Sequence, residues 1–249
     1  MVRTLDAQVR CIWPQEQAFF DRYGPAKRIL DVGSGTGEFT ARLAERYPQA
    51  ELLGIEINPA HVERARARCA PYGERVRFEV GDAYALQVPV GWADIVVCRH
   101  VLQAIPTPER VVAQCHRALR SGGWIHLLVE DYTMIHIDGP ESFDRFWRDG
   151  PVRFATATNC DARIGRRGLS LLADFVDVRM DYVTVDTNRV ARADFIDVLT
   201  AWRDGYAEVL APYMGCTVAE STATMNAMIE AIRTGYGVWQ VPIASGQRP

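Results

Sequence analysis

The sequence has almost no lysine and carries no excess of positive charge. Lys27 is the only lysine among 28 basic residues, and the formal net charge at pH 7 is −3. A chain of this charge lacks the attraction that basic proteins have for nucleic acids and anionic membranes. We therefore expect a small-molecule partner, and neither a nucleic acid nor a membrane. The excess of arginine over lysine is typical of GC-rich coding and suggests a bacterial source.

Cysteine pairs and long apolar runs are also missing. The six cysteines are scattered and make no C-x-x-C pair, so the spacings used by zinc sites and disulfide frameworks do not occur. No apolar run reaches the roughly 18 residues that a membrane-spanning helix needs, and the first residues lack the apolar stretch of an export signal. We expect no metal site, and a reduced chain that works in the cytoplasm.

The residues that are present fit one globular domain. Hydrophobic residues make up 48% of the 249 residues, and charged residues make up 24%. A chain of this length can bury about 70–75% of its unfolded surface around one core. We predict a single domain over residues 1–249. Its parts are N-terminal helices in 1–26, an α/β core in 27–130 and a second half in 131–249 with a helical insert at about 187–237.

Short apolar runs alternate with amphipathic segments from residue 27 onward. Two helix starts are marked by Asn58-Pro59 and Thr107-Pro108. Strands that alternate with helices predict an α/β fold with a parallel, doubly wound, Rossmann-like sheet. The five predicted strands are Arg28–Val32, Glu51–Ile55, Val76–Val80, Ile95–Cys98 and Trp124–Val129.

The flanking segments are predicted mainly from helical spacing. Residues 1–23 are predicted to be helical, with Pro14 marking a break or the start of a second helix. After Glu130 we predict a loop rich in aromatic residues and then a helix near Arg163–Asp174. The remaining predicted elements are a strand at Val176–Val185, helices at 191–211 and 217–235, and a last strand at Val238–Ala244.

A glycine-rich turn follows the first predicted strand. Asp31 lies in that strand, and Gly33-Ser34-Gly35-Thr36-Gly37 comes directly after it. Glycines lack a Cβ, so a ligand can approach the backbone of such a turn closely. Taken alone, a glycine turn equally fits tight packing of a strand against a helix.

Two further acids strengthen the case for a ligand. Glu56 ends the second predicted strand and Asp82 follows the third. Because the carboxyl ends of neighbouring parallel strands share one edge, we expect Asp31, Glu56 and Asp82 to line one crevice. Three acids suit a ligand with an ammonium group, ribose hydroxyls and an adenine amino group better than they suit a pyrophosphate. For Asp82, a turn-forming Gly-Asp is the alternative.

From about Ile29 to Val129, these residues resemble the class I S-adenosylmethionine-dependent methyltransferases. The resemblance implies that Asp31 and the turn Gly33-Ser34-Gly35-Thr36-Gly37 hold the methionine part of S-adenosylmethionine. It implies that Glu56 binds the ribose and Asp82 the adenine amino group, with Ile57 and Ala83 beside the adenine. It also implies a seven-stranded sheet whose last strand is antiparallel and lies between strands five and six.

The resemblance further implies a division of labour along the chain. Residues 1–26 and the helical insert are expected to form a lid over the substrate, residues 27–130 to bind the cofactor, and residues 131–249 to face the substrate. Cys98-Arg99-His100-Val101 stands where nucleic-acid- and glutamine-modifying members carry an Asn-Pro-Pro-Tyr-like motif. We therefore predict methylation of a small molecule at oxygen or nitrogen, with S-adenosylhomocysteine as the product.

The candidate catalytic residues follow strands four and five. A general base is needed only when the acceptor is a hydroxyl or a protonated amine. His100, His136 and Asp131 are the candidates, together with Glu130 beside Asp131; each fits equally well as a wall or loop residue. Arg99 binds the carboxylate of the cofactor, binds the substrate, or caps the end of its strand. Aromatic residues in the second half, among them Tyr132, Trp147, Trp202 and Tyr206, form either an acceptor pocket or plain core.

Two other kinds of function remain open at this point. A nicotinamide-dependent oxidoreductase also uses a glycine turn, but its Tyr-x-x-x-Lys arrangement is impossible here because Lys27 is the only lysine. A non-catalytic module that binds a nucleoside would carry the same turn and the same acids. The sequence leaves both a monomer and a homodimer open.

Overall fold

The computed structural model describes the backbone of residues 2–249 and the side chains from residue 5 onward. Residues 2–118 contain helices α1 (Val2–Glu16), α2 (Glu38–Arg46), α3 (Pro59–Cys69) and α4 (Pro108–Ala118), and strands β1 (Arg28–Val32), β2 (Glu51–Glu56), β3 (Val76–Val80) and β4 (Ala93–Arg99). The rest contains strands β5 (Leu119–Leu128), β6 (Ile135–Ile137), β7 (Val176–Asp186) and β8 (Gly237–Gln247), and helices α5 (Glu141–Ala157), α6 (Arg192–Met214) and α7 (Val218–Thr234). Within residues 2–249, no helix has the length and apolar character needed to cross a membrane.

The strands form one sheet in the order β3-β2-β1-β4-β5-β8-β6, and β7 pairs with the other side of β8. Strands β1 to β5 are parallel, whereas β8 is antiparallel to β5, β6 and β7. The predicted doubly wound sheet, with an antiparallel last strand between the fifth and sixth, is therefore confirmed. The short strand β6 is an addition that we did not predict.

The N-terminal segment and β5 differ in detail from the prediction. Pro14 lies in the last turn of α1 and breaks nothing; the α-helix gives way to a 3-10 helix at Gln17–Tyr23. Strand β5 begins at Leu119 rather than Trp124, because the backbone bends at Gly122 (φ 72°) and the register with β4 shifts there. The bend is a bulge of the kind that glycine permits.

The segment after β5 was predicted wrongly. The expected aromatic loop contains the 17-residue helix α5, whose buried residues Phe143, Phe146, Trp147 and Gly150 share one face. Pro151 lies inside this helix, at a position where proline is unfavourable. The helix expected near Arg163–Asp174 is instead two short 3-10 turns at Ile164–Arg167 and Ser170–Leu172. The Gly165 amide donates to the Glu130 carbonyl at 2.9 Å, which ties this segment to the end of β5 instead of to a preceding helical turn.

Two of the apolar cores are relevant to function. One lies around β1, β2 and α2, next to the glycine turn, and includes Ile29, Leu43 and Phe78. The other joins β7 and β8 to α1, α5, α6 and α7, and includes Trp147, Trp202 and Trp239. The helices α6 and α7 confirm the predicted insert before the last strand.

Candidate active site

The glycine turn leaves β1 in a conformation that only glycine adopts easily. Gly33, Gly35 and Gly37 have φ of 75°, 54° and 77°. The amides of Gly33 and Ser34 both donate to the Ile55 carbonyl, at 2.8 and 3.1 Å, which fixes the turn to the end of β2. A Cβ on Gly33 would lie 2.3 Å from Cγ2 of Val101. The turn therefore depends on glycine for its backbone angles and for space.

Asp31 and Glu56 lie on either side of this turn. Asp31 is 3% exposed, and Oδ2 accepts a hydrogen bond of 2.6 Å from the Thr40 hydroxyl. Burial raises the pKa of Asp31 to about 6, although the bond from Thr40 opposes the shift. In Glu56, Oε2 accepts from the Gly35 amide at 3.0 Å and Oε1 from the Asn58 amide at 2.9 Å.

Asp82 lies at the same edge of the sheet. The Gly81 amide donates to the Glu56 carbonyl at 3.0 Å, so the loop after β3 is tied to the end of β2. Asp82 Oδ1 accepts from the Tyr84 amide at 2.8 Å, which is the turn-forming contact expected of a Gly-Asp pair. Beside these acids, Ile57 is 69% exposed and Ala83 is half-buried. The predicted acids and apolar neighbours thus meet at one edge.

A small cavity adjoins the turn. We call it the glycine-turn cavity; its volume is about 40 Å³, and its walls are Leu5, Val9, Asp31, Gly33–Thr36, Glu38, Phe39, Arg99 and His100. The hydroxyls of Ser34 and Thr36 are buried and have no hydrogen-bond partner among the described residues. Buried polar groups are rarely left without a partner, because this costs about 1–3 kcal/mol each. These two hydroxyls therefore keep hydrogen-bonding capacity for a further polar group.

Arg99 joins β4 to the N-terminal helix. Its guanidinium donates two hydrogen bonds of 2.9 Å to Glu16, and it stacks over Phe39 at 3.9 Å from the ring centre. Glu16 also contacts Nε2 of His126 at 2.9 Å, and Tyr23 contacts Nδ1 of the same ring at 2.8 Å. Burial tends to raise the pKa of Glu16, but Arg99 and His126 outweigh it and lower that pKa. Arg99 therefore fixes α1 over the cavity as well as lining it.

His100 faces the cavity from the end of β4. Its Nδ1 lies 2.6 Å from Oε1 of Glu130, which is fully buried. Nε2 of His100 and Oε2 of Glu130 are buried and have no partner among the described side chains. With φ of 56°, His100 is one of three non-glycine residues with positive φ in the described chain. Such conformations often occur at functional sites.

Asp131 and His136, the other catalytic candidates, lie apart from this cavity. Asp131 accepts from the Thr133 amide at 3.0 Å and from Arg166 Nε at 2.7 Å, so it holds the loop after β5. His136 lies on β6, is exposed, and pairs with Asp144 at 2.9 Å. It lines a separate cleft of about 480 Å³. Their catalytic roles remain predictions, and the geometry favours His100.

Sequence reasoning missed Glu16 and Trp239. Glu16 lies four residues after the buried Ile12, on the same face of α1, and this spacing could have indicated burial. The Trp239 ring lies near the His100 ring, with ring centres 6.4 Å apart and the two planes tilted by 32°. The pairing of β8 with β5 and β6 brings it there, and no local pattern indicates this contact.

The fold and the site define a doubly wound α/β protein whose glycine turn and three acids meet at the carboxyl edge of its sheet. Residues 29–123 match a methyltransferase domain family. Trans-aconitate 2-methyltransferase of Deinococcus radiodurans is 38% identical over 99 residues, which are 40% of this chain and 36% of that protein. Malonyl-[acyl-carrier protein] O-methyltransferase of Geobacter sulfurreducens is 31% identical over 161 residues, 62% of this chain and 60% of that protein.

Among solved structures, geranyl diphosphate C-methyltransferase of Streptomyces coelicolor has a similar fold. The TM-score is 0.59 at 15% identity, over 95% of this chain and 77% of that chain. This chain thus resembles the class I S-adenosylmethionine-dependent methyltransferases, as its sequence motifs predicted, and its match to the family model covers residues 29–123. The matched part of the chain spans 36% of the Deinococcus protein and 60% of the Geobacter protein, which is less than two thirds of either.

Proposed function

We propose that the protein is an S-adenosylmethionine-dependent methyltransferase that modifies an oxygen or nitrogen of a small molecule. The observation that carries this proposal is the glycine-turn cavity, whose walls include a buried carboxylate, two hydroxyls and a histidine; the hydroxyls and Nε2 of that histidine have no hydrogen-bond partner among the described residues. The nucleoside site thus adjoins a group that can accept a proton. The match of residues 29–123 to a methyltransferase domain family supports the same activity.

The residues at the turn fit the parts of this cofactor. Asp31 supplies a negative charge for its methionine ammonium group, and the hydroxyls of Ser34 and Thr36 supply polar contacts. Glu56 keeps lone pairs for ribose hydroxyls, because each carboxylate oxygen accepts more than one hydrogen bond. Asp82 and exposed Ile57 provide an acceptor and an apolar surface for the adenine. The cofactor supplies a methyl group already activated by a positively charged sulfur.

The protein's remaining tasks are to place the acceptor and to take its proton. Positioning alone can supply about 7–11 kcal/mol of the barrier. In the tautomer that carries its hydrogen on Nδ1, His100 donates a hydrogen bond from Nδ1 to Glu130 and presents a lone pair at Nε2. Nε2 takes the proton of an acceptor hydroxyl or ammonium, and the adjoining carboxylate of Glu130 stabilises the imidazolium that forms. Glu130 is thus a positioning residue for His100.

We also propose a bacterial, cytoplasmic setting. All six cysteines are free thiols, which suits a reducing compartment. The two curated relatives above come from bacteria.

Calorimetric titration of the purified protein with S-adenosylmethionine, S-adenosylhomocysteine and NADH tests the proposal. We expect the two sulfur nucleosides to bind and NADH not to bind, and labelled methyl groups to be transferred to an acceptor. Binding of NADH alone would replace the proposal with a nicotinamide-dependent oxidoreductase. Binding of the sulfur nucleosides without turnover on any acceptor would indicate a non-catalytic binding module, and a product methylated at carbon would refute the choice of oxygen or nitrogen.

A further inference from the structure

A second cleft lies apart from the glycine-turn cavity, and the proposed reaction does not use it. We call it the β6–β8 cleft; it is the cleft that His136 lines, and its volume is about 480 Å³. Binding sites for small molecules typically have volumes of about 300–1,000 Å³. The cleft therefore has room for a small organic ligand. Its polar lining residues are Thr133, His136, Thr184, Arg189, Tyr236 and Gln240.

Strand pairing directs side chains from three strands into this cleft. His136 on β6 is paired with Val238 on β8, and Thr184 on β7 is paired with Gln240 on β8. Directly paired residues project to the same face of a sheet, and so do residues two apart along one strand. Trp239, which lies between Val238 and Gln240, is buried in the core on the opposite face. The cleft thus lies across the sheet from that core and opens to solvent, since His136 and Gln240 are exposed.

Positive side chains beside the cleft are exposed, whereas the acids that pair with them are buried. Arg189 lines the cleft, and Arg166 donates at 2.7 Å to the hydroxyl of Thr133, which also lines it. Both arginine side chains are 58% exposed, whereas their partners Asp186 and Asp131 are at most 2% exposed. None of the described residues that line the cleft is an acid. A ligand in the cleft therefore meets guanidinium groups and not the carboxylates that pair with them.

The walls also supply several hydrogen-bond donors. Arg189 donates from Nη1 to Asp186, which leaves Nε and Nη2 to donate to a ligand. The carboxamide of Gln240 and the hydroxyl of Tyr236 are further donors, and Val238 adds apolar surface beside them. A carboxylate accepts several hydrogen bonds, and its two oxygens fit the guanidinium group of an arginine. The walls therefore suit a carboxylate carried on a small apolar body.

Two other classes of ligand fit these walls less well. A cation would face the exposed guanidinium of Arg189 and would find no carboxylate in the described lining. Asp144 lies nearby but pairs with His136 at 2.9 Å, so this histidine forms a wall whose ring is already engaged. An uncharged amide accepts hydrogen bonds, but bonds between a guanidinium and a carboxylate are roughly twice as strong as bonds between neutral groups.

We propose that the β6–β8 cleft is a second binding site, and that it takes a small organic carboxylate with an apolar body. Arg189 binds the carboxylate through the N–H groups that Asp186 does not use, Gln240 donates to one of its oxygens, and the apolar body lies on Val238. The site is separate from the glycine-turn cavity, so its ligand and a sulfur nucleoside bind at the same time. The inference does not depend on the proposed methyl transfer.

A fluorine NMR titration of the purified protein tests this inference. The probe is 4-fluorobenzoate, and its matched control is 4-fluorobenzamide, which has nearly the same shape and no charge. We expect the protein to bind 4-fluorobenzoate at least about tenfold more tightly than the amide, because the bonds from Arg189 are charge-assisted only with the carboxylate. The Kd of 4-fluorobenzoate should be the same with and without S-adenosylhomocysteine.

Arginine variants test whether the probe binds in the cleft. Arg189→Gln should raise the Kd of 4-fluorobenzoate about tenfold or more, because hydrogen bonds from a charged group are lost. The fold should tolerate this change, since Asp186 still accepts the amides of residues 188 and 189 at 2.9 and 2.8 Å. Arg120→Gln is the matched control and should leave the Kd unchanged. Arg120 is 50% exposed, and its partner Asp94 likewise accepts two backbone amides.

Gln240→Glu tests the charge of the cleft without removing an arginine. The change adds a negative charge to the exposed face of β8, so the Kd of 4-fluorobenzoate should rise while the Kd of 4-fluorobenzamide stays the same. A merely structural effect of the substitution would change both values. Both this variant and Arg189→Gln must keep the Tm of the wild type.

Three outcomes would overturn the inference. Equal binding of 4-fluorobenzoate and 4-fluorobenzamide, or binding of neither, would show that the cleft does not recognise a carboxylate. Displacement of 4-fluorobenzoate by S-adenosylhomocysteine would place the probe in the glycine-turn cavity. Equal weakening by Arg189→Gln and Arg120→Gln would show an unspecific attraction of anions to surface arginines.

Discussion

His100 keeps a backbone conformation that costs a non-glycine residue roughly 1–3 kcal/mol. Its surroundings hold it there, since its amide contacts the Leu128 carbonyl at 3.4 Å and its ring contacts Glu130. The same conformation directs the ring to both the glycine-turn cavity and Trp239. The strained backbone of His100 is therefore explained if the protein requires its ring at this position beside the cavity.

Replacing His100 should slow turnover without weakening cofactor binding. General-base catalysis contributes about 10²–10⁴-fold, so His100→Ala should lower kcat by about 100-fold or more. His136→Ala is the matched control, because that ring lies on β6 and lines a different cleft. Steady-state kinetics and calorimetry on both variants check this. Equal kcat values in His100→Ala and wild type would remove His100 from the mechanism.

The affinity for S-adenosylmethionine should depend on pH through Asp31. The pKa of Asp31 is about 6, raised mainly by burial, so this carboxyl is protonated at acidic pH. A bound ammonium favours the ionised form; binding below pH 6 must therefore release a proton, and affinity should fall by up to about tenfold per pH unit. Above pH 7 the dependence on this group should disappear. Calorimetry between pH 5 and 8 measures it, and Asp31→Asn should remove the inflection; an inflection that persists in Asp31→Asn would assign it to another group.

At the scale of elements, α1 is held in two different ways. Its end is fixed by the buried contact of Glu16 with Arg99 and His126, whereas Arg10 pairs with Asp194 and Asp197 near the surface. Leu5 and Val9 of this helix line the glycine-turn cavity. The position of α1 therefore sets the space beside the glycine turn.

The buried contact should matter far more for stability than the surface pairs. Glu16→Ala leaves Arg99 buried without its carboxylate, which typically costs about 3–5 kcal/mol. Asp197→Ala breaks an ion pair whose side chains are 39% and 51% exposed, and should cost less than about 1 kcal/mol. Urea unfolding of the two variants compares them. A similar free energy of unfolding for both would show that Glu16 does not anchor α1.

The elements also show what local sequence can predict. Strands β1 to β4 could be predicted because each is a short apolar run between clear helix and turn signals. Helix α5 was missed although its buried residues recur at helical spacing, because its aromatic residues were interpreted as a loop. Strand β6 was missed because three residues become a strand only by pairing with β8. Glu130 and Trp239 meet His100 through tertiary contacts across the sheet, which no spacing in the sequence records.

At the scale of the whole molecule, one sheet connects the two halves of the proposed reaction. The parallel strands bring the glycine turn and the acids to one edge, and β8 carries Trp239 to the same region from the end of the chain. A ligand that bridges these parts binds the folded state only. Its binding should therefore be visible as added stability of the entire domain.

S-adenosylhomocysteine at 100 times its Kd should add about 2.7 kcal/mol to the free energy of unfolding. For a domain of this size that corresponds to a rise in Tm of roughly 5–11 °C. Thermal unfolding monitored by fluorescence checks this, with NADH as the control ligand that should give no shift.

Gly35→Val should abolish the rise in Tm, because Gly35 has φ of 54° and a Cβ there would lie 2.9 Å from Leu5. Glu56→Ala should abolish the rise as well, because it removes the carboxylate that accepts a hydrogen bond from the Gly35 amide. If both variants keep the full rise in Tm, the nucleoside binds elsewhere on the molecule.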